Sequence, residues 1–179
     1  MIDRENALKL LAENGATPSL LQHARASEAV MRALAARFDE DVEIWGLTGL
    51  LHDLDFPETA ENPARHGLDS ADMLQGQLPD DALQAIRAHN GEMNGCEPGT
   101  RFDYALRCGE TVTGLISAAA LMRPAGYEGM ETKSIRKKMK DKAFAHNVCR
   151  ANIRQCENAG LELDEFLGLA IRAMAEMKE

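Results

Sequence analysis

The chain has 179 residues, of which 45% are hydrophobic and 27% charged, and its formal net charge is −9. This length can bury a sizeable core, so we expect one domain over residues 1–179. The acidic balance argues against a general nucleic-acid binder, and the longest nearly apolar run, residues 115–122, is too short to span a bilayer. The N-terminus lacks the features of an export signal and the four cysteines form no CxxC pair, so we expect a cytoplasmic protein.

Helix-forming residues and apolar residues at helical spacing predict an all-α protein. A first helix is expected over residues 3–13 and ends at an Asn-Gly signal. Thr17 and Pro18 then start a second helix, as N-cap and first helical residue. His23 lies on the apolar stripe of this second helix, so its side chain is expected to face inward.

A third helix is predicted over residues 41–54, with His52 and Asp53 side by side near its end. Gly46 and Gly49 lie on the same face as Asp53. A glycine within a helix costs roughly 1 kcal/mol relative to alanine. The two glycines therefore predict a close approach of another helix.

Residues 56–63 are predicted to be a connector, followed by a fourth helix over residues 66–77 that begins with His66. A fifth helix begins at Pro79 and carries His89 in its last turn. Two more histidines are thus expected near the ends of neighbouring helices.

A loop over residues 91–100 precedes a long sixth helix over residues 102–122, with Glu110 in its middle. Residues 133–142 carry six basic residues and one acid, and a short helix and a final amphipathic helix complete the chain. The basic segment has two open interpretations, a solvated helix face or a local anion site.

The histidines and one mid-helix carboxylate are best explained together. A buried His-Asp pair needs a charge or hydrogen-bond partner for each group, and a metal ion supplies both. Four of the five histidines and Glu110 lie where a helix face turns inward, whereas His146 is an ordinary residue. Imidazole mixed with carboxylate suits Mn²⁺, Fe²⁺, Co²⁺, Ni²⁺ or Zn²⁺ better than Ca²⁺.

The order of His23, the His52-Asp53 pair and a late acid at 110 resembles the H…HD…D pattern of the HD-domain metal-dependent phosphohydrolase superfamily. The likeness covers nearly the whole chain, which resembles a small bacterial subgroup of HD or HDIG-domain hydrolases. It is carried by the stretches LTGLLHDLD (47–55), AHN (88–90), TGLI (113–116) and KSIRKKMK (133–140). The resemblance implies a single compact HD-domain-like helical bundle.

The resemblance also implies that His23, His52 and Asp53 are metal ligands. His66 and His89 match positions that complete a second metal site, or contact phosphate, in members with two metal ions. The last ligand of the family is normally Asp, whereas this chain has Glu110. The extra methylene moves the carboxylate by roughly 1 Å or more.

These positions predict a divalent-metal-dependent phosphohydrolase that acts on a phosphate ester, such as a small nucleotide or a phosphorylated metabolite. One or two ions of Mn, Fe, Co, Ni, Zn or Mg would serve as cofactor, with Asp53 bridging two of them. Asp55 is a candidate catalytic base or orienting group, or else a solvated loop carboxylate, and Glu58 has the same alternatives. Lys137, Lys138 and Lys140 could hold the charge of the substrate phosphate if their helix faces the site.

Two rival interpretations remain open. The domain could bind a metal ion or a nucleotide as a sensing module without hydrolysing it, and Glu110 in place of Asp favours this alternative. A purely structural helical bundle would have to place four histidines inward by accident. No membrane partner is expected.

Overall fold

The computed structural model describes residues 1–177. Within this range the chain forms α-helices and no β-strand, which confirms the predicted all-α fold. The helices are α1 (Arg4–Glu13), α2 (Pro18–Phe38), α3 (Val42–Leu51), α4 (Phe56–Thr59), α5 (Leu68–Met73), α6 (Asp80–Ala88), α7 (Gly91–Asn94), α8 (Arg101–Leu121), α9 (Thr132–Lys140), α10 (Arg150–Arg154), α11 (Cys156–Ala159) and α12 (Leu163–Ala175).

The two longest helices, α2 and α8, have 21 residues each and lie against one another at the centre of the bundle. Each begins at a capped N-terminus: the Thr17 hydroxyl accepts from the backbone of α2, and Thr100 and Asp103 form a capping box on α8. Helix α3 packs on α2, α6 packs on α8, and α12 packs on both long helices. The ring of Trp45 stacks on the ring of Phe102 with centroids 4.5 Å apart, which joins α3 to α8.

Gly49 allows α3 to approach α2 closely. A Cβ atom at Gly49 would lie 2.7 Å from the carbonyl oxygen of Ser27, a distance that real side chains do not tolerate. The predicted close approach of another helix is therefore confirmed at this glycine. His23 lies one turn before Ser27 and His52 follows the end of α3, so the close contact of these two helices brings the two histidines together.

Two predicted helices are shorter than expected. Helix α3 ends at Leu51, and residues 52–55 form turns rather than a last helical turn. The predicted helix over 66–77 is helical only at Leu68–Met73, because Gly67 adopts a φ of 84° that stops the helix from extending back to His66. The predicted connector over 56–63 contains the short helix α4.

Many buried hydrophobic side chains from the long helices and from α12 belong to one continuous core, which the site borders on one side. No helix among residues 1–177 combines the length and the apolar character needed to cross a membrane.

Candidate metal centre

The site is assembled around Asp53 by side chains from separate elements. His23 comes from α2, while His52 and Asp53 follow directly after α3. His66 lies in the turn before α5, and His89 is the C-cap residue of α6. The structure thus brings together five residues that the sequence predicted as metal ligands.

His23, His52 and Asp53 form the first of two groups. The Nε2 atoms of His23 and His52 are 3.2 Å apart. The Asp53 carboxylate places Oδ2 3.5 Å from Nε2 of His23 and Oδ1 3.2 Å from Nε2 of His52. These separations allow one small ion to contact all three side chains.

The second group consists of His66, His89 and the same Asp53. The Nε2 atoms of His66 and His89 are 3.1 Å apart. Oδ1 of Asp53 lies 3.3 Å from Nε2 of His66 and 3.5 Å from Nε2 of His89. One carboxylate is therefore shared by two histidine pairs.

All four rings are oriented by an acceptor for the Nδ1 proton. The acceptors are Thr113 Oγ1 for His23 at 3.0 Å, the Gly49 carbonyl for His52 at 2.8 Å, Asp55 Oδ1 for His66 at 2.8 Å and the Ile86 carbonyl for His89 at 2.5 Å. The Thr113 hydroxyl gives its own proton to the Glu110 carbonyl at 2.7 Å, so it can only accept from His23. In the neutral rings Nε2 is then the basic nitrogen, and in all four it faces the shared carboxylate.

This donor set fits a metal ion. When His23 and His52 are neutral, their two Nε2 lone pairs face one another at 3.2 Å with no hydrogen between them. An ion bonded to both nitrogens at about 2.0–2.1 Å would hold them roughly 3 Å apart and would turn this repulsion into attraction. Imidazole nitrogens with a carboxylate are the ligands of borderline divalent ions.

The electrostatics of the first group also suit a metal. Burial lowers the pKa of His52 to about 3, so its ring is neutral, as a metal ligand must be. Burial alone would raise the pKa of Asp53, but the surrounding histidines hold it well below its usual range. A permanent carboxylate thus lies among basic nitrogens.

Asp55 lies behind His66, away from the cavity. Its side chain is buried, and its two oxygens accept from the Nδ1 proton of His66 and from the backbone N–H groups of Gly67 at 2.8 Å and Ser70 at 2.9 Å. Burial opposes the protonated state of His66, yet hydrogen bonds to Asp53 and Asp55 raise its pKa to about 10. Asp55 is therefore placed to orient His66 and is not a solvated loop carboxylate, whereas Glu58 is exposed.

Glu110 stands at the edge of the first group. Its Oε2 atom is 3.9 Å from Nε2 of His23, and its other oxygen accepts a hydrogen bond from the Thr111 hydroxyl. Burial raises the pKa of Glu110. The carboxylate is thus close to the site but lies farther from His23 than Asp53 does.

The site opens into a cavity of about 340 Å³ whose lining includes His66 and His89, together with residues that the sequence did not predict. Its outer wall carries the amides of Asn90, Asn147 and Asn152 and the thiol of Cys149. Most of these residues lie in turns or at helix ends, where hydrophobic periodicity does not predict which way a side chain points. The adjacent His89-Asn90 pair was the one available signal.

The basic helix α9 does not bring its lysines to the site. Ile135 and Met139 form its buried face, so Lys137 and Lys140 are exposed. The Lys138 ammonium lies 3.9 Å from the centroid of the Phe144 ring. None of these lysines lines the cavity, and the placement favours the interpretation of this segment as a solvated helix face.

The family pattern of the HD domain matches residues 20–142, more than half of the chain. The match includes every residue of the two groups and Glu110. No solved structure matches this chain.

Proposed function

The chain belongs to the HD-domain family, and from this membership and the geometry of the site we propose that it is a divalent-metal-dependent phosphohydrolase. The proposed substrate is a phosphate ester, either a small nucleotide or a phosphorylated metabolite. One observation carries the proposal: four imidazole Nε2 atoms surround a single carboxylate in two groups that share it.

The two groups suggest which residues would hold each metal ion. His23 and His52 would hold one ion with Asp53, and His66 and His89 would hold a second. Asp53 would bridge the ions, because its Oδ2 lies 3.5 Å from Nε2 of His23 in the first group and its Oδ1 lies 3.3 Å from Nε2 of His66 in the second. The candidate ions are Mn²⁺, Fe²⁺, Co²⁺, Ni²⁺, Zn²⁺ and Mg²⁺.

A divalent ion held by these residues would lower the pKa of a bound water molecule towards about 7 and would polarise a phosphoryl oxygen. The protein residues position the other components. Asp55 fixes the ring of His66, and Glu110 is placed to accept a hydrogen bond near the first group. The amides of Asn147 and Asn152 line the cavity and can donate to phosphate oxygens, whereas the Asn90 amide already donates to the carbonyls of Pro63 and His66.

The charge of the cavity supports dependence on metal. Asp53, Glu92 and Glu110 line it, and no lysine or arginine does. Glu92 is already paired with the Arg107 guanidinium, so a phosphate group would meet the carboxylates of Asp53 and Glu110 with no lysine or arginine in the lining, and bound cations would supply the missing positive charge.

The alternative is a module that binds a metal ion or a nucleotide without hydrolysis. Glu110 favours it, because the carboxylate that replaces the usual Asp lies 3.9 Å from His23, beyond the separations within the first group. In that case the two histidine groups would still hold metal, but phosphate esters would not turn over.

The test is metal analysis combined with a screen of phosphate esters in the presence of each candidate ion. We expect His52→Ala and Asp53→Ala each to lower turnover by roughly 100-fold or more, because each loses a ligand and, with it, the activated water. Bound metal should fall in both variants. His146→Ala is the control, since His146 is exposed and lies outside the cavity.

Metal-free wild-type protein that is inactive with every ion would contradict the proposal. Bound metal without turnover would favour the sensing module instead.

A further inference from the structure

A groove of about 1000 Å³ runs along α2 on the side of the helix opposite His23. Its floor is the stretch of α2 from Pro18 to Arg32, and its walls are Arg4 of α1, Tyr127 and the end of α12. At 1.5 Å per residue the floor is roughly 21 Å long. No residue of the two histidine groups lines this groove, which we call the α2 groove.

We propose that the α2 groove binds a small amphipathic carboxylate, which carries one negative charge and a flexible apolar tail, as a medium-chain fatty acid does. This binding site is separate from the metal centre and does not depend on the proposed hydrolysis. Two properties of the lining support it: one cation in excess, and apolar side chains on either side of that cation.

Most charged groups at the α2 groove neutralise one another. The buried Glu28 carboxylate accepts from Nε of Arg4 at 2.8 Å and from Nε of Arg32 at 2.9 Å. Arg32 also donates from both Nη atoms to the Glu43 carboxylate, at 2.6 and 3.0 Å. Two arginines and two carboxylates therefore balance, and their charges cancel.

Arg25 is the cation in excess. It lines the α2 groove, is exposed, and has no carboxylate partner among residues 1–177. A planar guanidinium pairs with a carboxylate through two parallel N–H···O hydrogen bonds. A ligand with a single negative charge would balance this cation, whereas a phosphate dianion would exceed it.

The apolar part of the lining suits a flexible tail. Leu21 and Ala29 are half-buried on the floor, and Met177, just after α12, contributes to the wall. Methionine side chains are flexible and adapt to irregular apolar surfaces. Pro18 lies two helical turns before Arg25, roughly 10 Å along the axis, a distance that an extended octyl chain can span. Each methylene that leaves water there strengthens binding.

The experiment titrates octanoate, acetate and octylammonium by calorimetry into full-length protein that has been dialysed against a chelator. Removing metal prevents the carboxylates from binding at the metal centre. Acetate has the same charged group without the tail, and octylammonium has the same tail with the opposite charge. We expect the wild type to bind octanoate roughly tenfold or more tightly than either of the other two.

Two variants test the head and the tail separately. Arg25→Gln should weaken octanoate binding roughly tenfold, because a charge-assisted hydrogen bond is lost at an exposed position that the fold does not require. Met177→Gln places a polar group of similar length in the wall and should weaken it about threefold. Arg172→Gln is the matched control, because Arg172 is an exposed arginine of α12 that does not line the α2 groove. It should bind octanoate as the wild type does, and circular dichroism checks that each variant is folded.

Equal octanoate binding by the wild type and Arg25→Gln would overturn the inference. A wild type that binds no probe, or that binds acetate or octylammonium as tightly as octanoate, would overturn it as well. Sedimentation velocity tests for another occupant: a wild-type dimer that Arg25→Gln dissociates would assign the α2 groove to a second copy of the chain and contradict the proposal. The proposed function fails or stands on metal content and ester turnover, neither of which this titration measures.

Discussion

The four histidines of the metal centre differ in what holds them. His52 and His89 donate to backbone carbonyls three residues earlier in their own helices, so their orientation follows from local chain geometry. His23 depends on the Thr113 hydroxyl, and His66 depends on the Asp55 carboxylate. A carboxylate behind an imidazole makes the ring a stronger metal ligand, and among the four rings only His66 has one, the Asp55 carboxylate, at Nδ1.

Glu110 carries the prediction that belongs to a single side chain. Glu110→Gln keeps the length and removes the charge, so we expect metal affinity to fall roughly tenfold, as for other groups adjacent to metal ligands. Glu110→Asp should also weaken binding. Its shorter side chain would retract the carboxylate by about 1.5 Å from a position already 3.9 Å from His23. Metal titration monitored by calorimetry measures both variants.

Thr111→Val is the companion variant for Glu110. It removes the hydroxyl that donates to the Glu110 carboxylate and leaves the charge in place. Metal binding that becomes tighter in Glu110→Asp than in the wild type would contradict this account. It would mean that glutamate keeps the carboxylate out of reach.

The sequence predicted which side chains meet, but not how each is held. His23 could be placed on an inward face because it lies on the apolar stripe of a long helix. Its partner Thr113 is 90 residues away, and no local pattern indicates that contact. Residues 52–55 form turns, so helical periodicity could not predict the orientation of Asp55. Its burial behind His66 is seen only in the structure.

The segment over residues 141–149 lines one side of the cavity, and the Arg150 side chain makes most of the side-chain hydrogen bonds to its backbone. The Arg150 guanidinium donates to the carbonyls of Ala145 at 2.6 Å and Val148 at 2.7 Å, and also to those of Asp141 and Phe144. This segment has no regular backbone hydrogen bonding of its own beyond isolated turns. The Asp141 carboxylate accepts from the N–H groups of Ala143 and Phe144, and Arg150 makes the remaining contacts that hold the segment beside the candidate metal ligands.

We expect Arg150→Met to loosen this segment while the helices stay folded. Four lost bonds from a charged donor correspond to several kcal/mol locally, at about 1.5 kcal/mol or more each when desolvated. Tryptic cleavage at the exposed Lys142 should become roughly tenfold faster or more. Bound metal should be retained, because no metal ligand lies in the segment.

Arg154→Met is the control for the loop, since Arg154 is exposed and lies one turn farther along the same helix. Its cleavage rate at Lys142 should equal that of the wild type. If Arg150→Met were cleaved no faster than this control, the four hydrogen bonds would not be what holds the segment.

The first residues of helices with strong N-caps were predicted to within about a residue, whereas short helices without a cap were not predicted. Pro18–Phe38 and Arg101–Leu121 both begin at a threonine whose hydroxyl accepts from the first turn. Phe56–Thr59 and Gly91–Asn94 span four residues each, have no side-chain cap, and are too short for a hydrophobic period to appear. Tertiary contacts hold these short helices, and a single sequence does not encode such contacts locally.

At the level of the whole molecule, the metal centre joins parts of the chain that are distant in sequence. Its candidate ligands begin at His23 and end at His89, and they come from α2, from the turns after α3 and before α5, and from the end of α6. The family resemblance predicted that these side chains meet at one site. Helical periodicity alone predicted only that each of the four histidines faces inward. The prediction of one domain over residues 1–179 follows the same logic, and we retain it as a proposal.

The last prediction follows from the way in which a metal ion at this site would join distant parts of the chain. Metal that binds the folded protein and not the unfolded chain stabilises the fold, and a 100-fold excess over Kd contributes about 2.7 kcal/mol, which corresponds to about 5–10 °C in Tm for a chain of this size. We therefore expect dialysis against a chelator to lower Tm by about that amount, and Mn²⁺ or Zn²⁺ to restore it. Asp53→Asn should abolish the shift, because Asp53 belongs to both groups, whereas His146→Ala should preserve it. An equal Tm with and without chelator in the wild type would show that the five side chains do not bind metal tightly enough to link these elements.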